Sequence, residues 1–297
     1  MADPAEVLAQ TVNGLFYAAI LFLMASGLNV IFGVLGILNL AHGSFYMVGA
    51  YIAYTVMIIA LGSVGWGSFA AAAVAAAVVV AVLGVAVERG LLRPLYGKRE
   101  ELQLLLTFGL ILIFDDLVKM IWGPQYLGFP RLPGGSFKVG AHEIPHFSIF
   151  AIIVGFAVAG LLHYFFNNTI TGKRITAAAY DKDTAAALGI NVDRLMVLTF
   201  ALGSALAGLS GAVAGPLYSA QPGMGLEVII HSFAVIVIGG MGSILGALVG
   251  SVIIGLSRSA MYILYPRLDI VLIYVIMILV LLFKPAGLFG RQEVVRR

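Results

Sequence analysis

Apolar runs recur along the whole chain, at 12–32, 36–61, 68–87, 102–122, 147–166, 194–215, 227–257 and 268–283. Most are long enough, at about 20 residues of helix, to cross the roughly 30 Å hydrocarbon core of a bilayer. In lipid every backbone N–H and C=O needs a partner within the protein, which leaves helices or closed barrels. The runs lack the ten-residue alternation of a barrel strand, so they read as helices. The expected fold class is all-α, a polytopic integral membrane helical bundle of about 8–9 transmembrane segments. Composition agrees, with 61% hydrophobic and 10% charged residues against roughly 45–50% and 25% in soluble domains.

Basic residues report topology here, not an acidic partner. They gather at Arg89, Arg93, Lys98 and Arg99, at Lys173, Arg174, Lys182 and Arg194, and at Lys284, Arg291, Arg296 and Arg297. Loops rich in Lys and Arg stay on the cytoplasmic side. No Lys or Arg precedes Arg89, while Asp3 and Glu6 stand before the first run. The N-terminus is therefore expected outside and the C-terminus inside. A secretory signal would need a basic start, so the first span is expected to remain in the mature protein.

Opposite termini require an odd number of crossings, whereas eight runs are visible. The overlong run 227–257 is the one that must break, and Gly239, Gly240, Met241 and Gly242 in its middle mark the place. Two short or half helices are expected there. The longest polar stretches, 88–101, 123–146 and 167–193, are loops. Residues 1–297 thus form one transmembrane domain, without a convincing internal repeat. Low complexity is confined to Ala70–Ala81, a plain lipid-facing or packing helix.

Several chemistries are disfavoured. The chain has no cysteine, which removes disulfides and thiolate metal sites. Gly97-Lys98 and Gly172-Lys173 are followed by Arg where a phosphate-binding loop has Ser or Thr. There is no His and carboxylate set at metal-ligand spacing and no nucleophile elbow, so an enzyme is not expected.

Three motifs carry information. In Gly36-Ile-Leu-Asn39-Leu-Ala-His42-Gly43-Ser44-Phe-Tyr46-Met-Val-Gly49, polar residues interrupt a hydrophobic run. Irregular backbone at membrane depth is tolerated inside protein or along a water-filled path. Asn39, His42, Ser44 and Tyr46 are therefore candidates for a substrate pathway, with Glu227 and His231 from the later interrupted run. A plainer alternative makes Asn39 the cap of a helix resuming at Leu40, with His42 satisfied by a neighbouring carbonyl.

The loop from Thr171 to Arg194 contains a short helix with both ends marked. Asp181 or Asp183 can cap its start, and Gly189 can take the left-handed conformation that ends it. Its alanine surface, including Ala186 and bounded by Leu188, suits a partner's groove. The third pattern, Gly242, Gly246 and Gly250 with Ser204, Gly208, Ala212, Gly211 and Gly215, lets helix backbones approach closely.

With these motifs in view, the chain resembles the permeases of branched-chain amino acid ABC importers. The runs Asn39-Leu-Ala-His42-Gly43, Ala187-Leu-Gly189-Ile-Asn-Val-Asp193-Arg, Gly239-Gly240-Met-Gly242-Ser243-Ile-Leu-Gly246 and Lys284-Pro285-Ala-Gly287-Leu-Phe-Gly290-Arg291 match that family in order. The resemblance implies a second homologous permease, two cytoplasmic ATPases holding ATP and Mg, and an external periplasmic solute-binding protein. This chain would bind no cofactor or nucleic acid and would lie in the bacterial inner membrane. Asp181, Asp183, Ala186, Leu188 and Gly189 would form the coupling helix that docks on an ATPase. The fold implied is that of second-type ABC importers, with a broken second helix and a re-entrant pair near the C-terminus.

The chain departs from the family at Ser44, where Glu is usual, at His231 for Lys, at Arg258 for an acid, and at Asp115 and Asp116 for uncharged polar residues. Intramembrane charges are costly and seek partners, and topology places Arg258 with Asp115 or Asp116 in an ion pair at the outer end. An alternative is that Arg258 faces the path and holds a substrate carboxylate. The function expected is ATP-driven import of branched-chain amino acids or a related small amino acid, amide or carboxylate. The alternatives are an ion-coupled carrier or a passive channel.

Overall fold

The computed structural model describes residues 3–265 and 268–290; Arg291, Arg296 and Arg297 of the C-terminal basic cluster lie outside them. The helices are α1 (Pro4–Leu35), α2 (His42–Tyr54), α3 (Trp66–Val87), α4 (Glu100–Trp122), α5 (His146–Asn168), α6 (Ile170–Tyr180), α7 (Lys182–Ala187), α8 (Val192–Tyr218), α9 (Met224–Gly239), α10 (Ile244–Leu264) and α11 (Asp269–Phe283). Among the described residues, six helical stretches are long and apolar enough to cross a membrane. They are α1, α2 with its extension to Ala60, α3 with its extension to Leu95, α5, α8 and α10. α4 has the length but carries Asp115, Asp116 and Lys119, and α9 and α11 are shorter apolar helices.

α1 is the central element. It packs along α10, α8, α5 and α9, and Ile20 through Ala25 are all but sealed from solvent. Its helix outlasts its apolar run because Asp3 caps it, accepting from Ala5 N–H at 3.1 Å, and Pro4 is tolerated in the first turn. α3 and α2 pack on α8. The faces of α3 and α4 turned away from the bundle carry Val74, Val78, Val82, Leu105, Leu112 and Met120 exposed, as a lipid-facing surface requires.

Close helix crossings follow the small residues. A Cβ on Gly49 would overlap Gly208, one on Gly211 would overlap the Tyr46 carbonyl, and Gly246 meets Gly239. Gly242 differs from the expected seam: a Cβ there would meet open space, and its φ of 80° makes it a turn residue.

The expected break in 227–257 is present, with α9 stopping at Gly239 and α10 starting after Ser243. The two pieces are unequal, and α10 is itself of spanning length, so it is not a half helix. The second helix is not broken internally either. Residues 37–41 are non-helical ahead of α2, which then runs on into a π-helical turn at Thr55–Ala60. Loop 123–146 contains a small antiparallel hairpin, β1 (Ser136–Val139) against β2 (His142–Pro145), and Leu127 in the same loop forms an antiparallel bridge with Ala220.

The closing segment has a structural task. Leu288 N–H donates to the Ile238 carbonyl at 2.8 Å and Phe289 N–H to that of Gly239 at 2.9 Å. Helix ends leave carbonyls without intrahelical partners, and this segment satisfies two of them at the end of α9.

Candidate functional site

Two interruptions of helix meet inside the bundle. α1 ends at Leu35 with Gly36 in the left-handed region at φ 72°, and α2 begins at His42 without a side-chain cap. Asn39 is therefore no cap. It is fully buried, and neither of its amide atoms has a hydrogen-bond partner. His42 is also fully buried; its ring lies near the Met24 carbonyl and Gly27, with neither nitrogen in a well-formed hydrogen bond. An unsatisfied buried polar group costs about 1–3 kcal/mol, which makes this stretch the strongest candidate for contact with a solute.

The second interruption precedes α9, where Ser219 and Gly223 both have positive φ. The first turns of α2 and α9 then touch, so close that a Cβ on Gly43 or Gly225 would overlap the other's backbone. Ser44 and Tyr46 sit in this crossing, both nearly sealed, and Tyr46 is within electrostatic reach of Tyr17, Tyr218 and Glu227. Asn39, His42, Ser44 and Tyr46 thus share one neighbourhood.

Glu227 and His231 belong to an adjoining cluster on the side where α1 begins and α8 and α10 end. Tyr17 Oη and His231 Nδ1 share a hydrogen bond at 2.6 Å. The Arg258 guanidinium lies 4.4 Å from the centre of the Tyr17 ring and donates to Glu227 Oε1 at 3.4 Å. Tyr218 packs edge-on against Tyr17. The expected Arg258 pair with Asp115 or Asp116 is not formed. Those carboxylates pair instead with Lys119, because positions three and four apart on a helix are neighbours.

At the opposite side lies the loop 167–193. Its short helix is α7, and a second one, α6, precedes it, capped by Thr169 accepting from Gly172 N–H at 3.0 Å. Asp181 caps α7 through Asp183 N–H and Thr184 N–H. Gly189 ends that turn at φ 82°. Asp181, Asp183, Ala186 and Leu188 are exposed, Leu188 by 77%, while Ala185 alone in α7 is buried. Lys182 Nζ reaches the Leu35 carbonyl at 3.3 Å, joining α7 to the end of α1 just before the Asn39 stretch.

Residues 10–281 match the family model described as branched-chain amino acid transport system / permease component. The chain belongs to that family. The permease is 32% identical to the high-affinity branched-chain amino acid transport system permease protein LivH of Escherichia coli (strain K12), over 97% of this chain and 96% of that one. It is equally identical to the permease protein BraD of Pseudomonas aeruginosa, over 99% of each chain. Among solved structures, PsaBC from Streptococcus pneumoniae in complex with Fab covers 90% of this permease and 89% of its own chain, with 14% identity and a TM-score of 0.47.

The resemblance read from the sequence and the identification as a multi-pass membrane permease are borne out. Sequence reasoning missed Asn29, whose amide bridges the Gly242 N–H and the Ser243 carbonyl, as well as Lys182 as a link between α7 and α1, and Tyr17 and Tyr218 around Arg258. An Asn deep inside the apolar first run was the visible signal for Asn29, since intramembrane polar residues seek partners.

Proposed function

We propose that the permease forms half of the translocation path of an ATP-driven ABC importer in the bacterial inner membrane. Residues 1–297 make one membrane domain, paired with a second homologous permease. Two cytoplasmic ATPases bind ATP and Mg, and an external solute-binding protein delivers branched-chain amino acids or a related small amino acid, amide or carboxylate. The chain itself performs no chemistry. The near full-length family match carries this reading.

Loop 167–193 is the coupling loop on the cytoplasmic side, where Arg89, Arg93, Lys98, Arg99, Lys173, Arg174 and Lys182 also gather. The N-terminus lies outside and the C-terminus inside. α7, through Asp181, Asp183, Ala186, Leu188 and Gly189, seats in a cleft of the ATPase. Its motion passes through the Lys182 contact with Leu35 to the non-helical stretch before α2. Asn39, His42, Ser44, Tyr46, Glu227 and His231 line the path, and alternating access exposes them in turn.

Gly189→Val tests the coupling assignment, because a β-branched residue cannot easily adopt that positive φ. The variant is expected to insert in the membrane, yet to lose ATPase co-purification or transport. A variant that retains its ATPase and transports at the normal rate removes α7 from the coupling role.

A further inference from the structure

The ion pair between α9 and α10 has features that a purely structural bridge does not need. Glu227 is 62% exposed and Arg258 30% exposed, although both stand on apolar helices among Leu226, Ile230, Leu256 and Tyr262. Ionised side chains at membrane depth do not face hydrocarbon; they face water-filled cavities or other protein. The pair is joined by one contact at 3.4 Å, and partly exposed single contacts are the weakest class of salt bridge.

The arginine is nevertheless firmly placed. Its guanidinium stacks on the Tyr17 ring, and Tyr17 is fixed in turn by the hydrogen bond to His231 and by Tyr218. Stacking holds a guanidinium by its face, while its fork of donors binds carboxylates through the edge. A preset cation beside a loosely held, exposed carboxylate forms an exchangeable couple.

We infer that Glu227 and Arg258, with Tyr17 and Tyr218, form a binding site for a zwitterionic α-amino acid that inserts between the two side chains. The solute's carboxylate takes Arg258 and its ammonium takes Glu227, so one contact is replaced by two new pairs and the zwitterion adds no net charge. A solute with only one charge can make only one of these two pairings, which discriminates against it. Ile230, one turn along α9 and 40% exposed, offers apolar surface to the solute's side chain. The inference rests on the importer reading and adds the residues that recognise the solute.

Because the chain has no cysteine, Ile230→Cys can serve as a reporter in the complete importer held in membranes. The rate of labelling by a water-soluble thiol reagent is measured with leucine, with 4-methylpentanoate, which lacks the ammonium, and with 3-methylbutylamine, which lacks the carboxylate. At about four times its dissociation constant, leucine is expected to slow labelling about fivefold. The two half-ligands at the same concentration leave the rate nearly unchanged. Adding Glu227→Gln or Arg258→Gln abolishes leucine protection while the unprotected rate persists.

Protection that survives either Gln substitution, or protection equally strong with a half-ligand, overturns the site. Absence of leucine protection overturns it as well, and ATP-dependent leucine uptake measured on the same preparation then separates two cases. Intact uptake means that the exchange site alone is wrong, whereas absent uptake removes the amino-acid reading with it.

Discussion

The Asn29 side chain accepts the Gly242 N–H at 2.7 Å and so ties the last two turns of the bundle's central helix to the turn between α9 and α10. The same amide donates to the Ser243 carbonyl at 2.9 Å. One side chain therefore satisfies both a donor and an acceptor that the helix break leaves open. Asn29→Leu removes both partners and is expected to destabilise the permease by about 1–3 kcal/mol. Thermal unfolding of the detergent-solubilised complex checks this, and an unchanged midpoint would mean that the turn holds without Asn29.

Much of the fold was legible because lipid restricts backbone so severely. The run lengths and the Gly239 to Gly242 interruption located the helices and one break, and Asp181 and Gly189 bounded α7 from local capping chemistry. Long-range pairing was not legible. Arg258 was assigned to Asp115 or Asp116 from shared depth, but depth does not fix lateral neighbours, and Glu227 stands closer across the α9 and α10 packing. The Asn39 stretch was recognised as irregular, but its lack of a capping role depends on α2 starting two residues later than the pattern suggested.

Glycine positions offer a matched comparison. Gly43 lies against Gly225 with no room for a Cβ, whereas Gly160 on α5 has nothing nearby. Gly160→Ala should be neutral or stabilising by up to about 1 kcal/mol through helix propensity. Gly43→Ala forces two backbones apart and should cost about 1–3 kcal/mol. Equal effects of the two substitutions on thermal stability would contradict the close crossing.

Lys182 supplies a link whose loss should be selective. Lys182→Met keeps the length of the side chain but removes the bond to the Leu35 carbonyl, a position where a cation also complements the helix dipole. The expected outcome is normal co-purification of the ATPase with reduced transport per ATP hydrolysed. Unchanged coupling would leave the α7 to α1 contact without a mechanical role.

The Asp181 cap predicts a pH dependence. Its carboxylate accepts from the Thr184 hydroxyl, the Thr184 N–H and the Asp183 N–H, and these bonds hold its pKa below the usual 3.8. A carboxylate depressed in the folded state stabilises above its unfolded pKa and loses that contribution as pH falls through the folded value. Hydrogen-exchange protection of the Asp183 and Thr184 amides, corrected for intrinsic rates, should stay level from pH 7 to about pH 4 and fall below that. In Asp181→Ala the protection should be low throughout. Loss between neutral pH and pH 5 would assign the effect to another group.

Whether ATP drives this permease is most directly read from leucine uptake into proteoliposomes holding the complete importer, with leucine-loaded binding protein outside. Uptake is predicted to require enclosed ATP and Mg and to be unaffected when ionophores collapse proton and sodium gradients. Uptake that proceeds without ATP and stops when those gradients are removed would contradict the account.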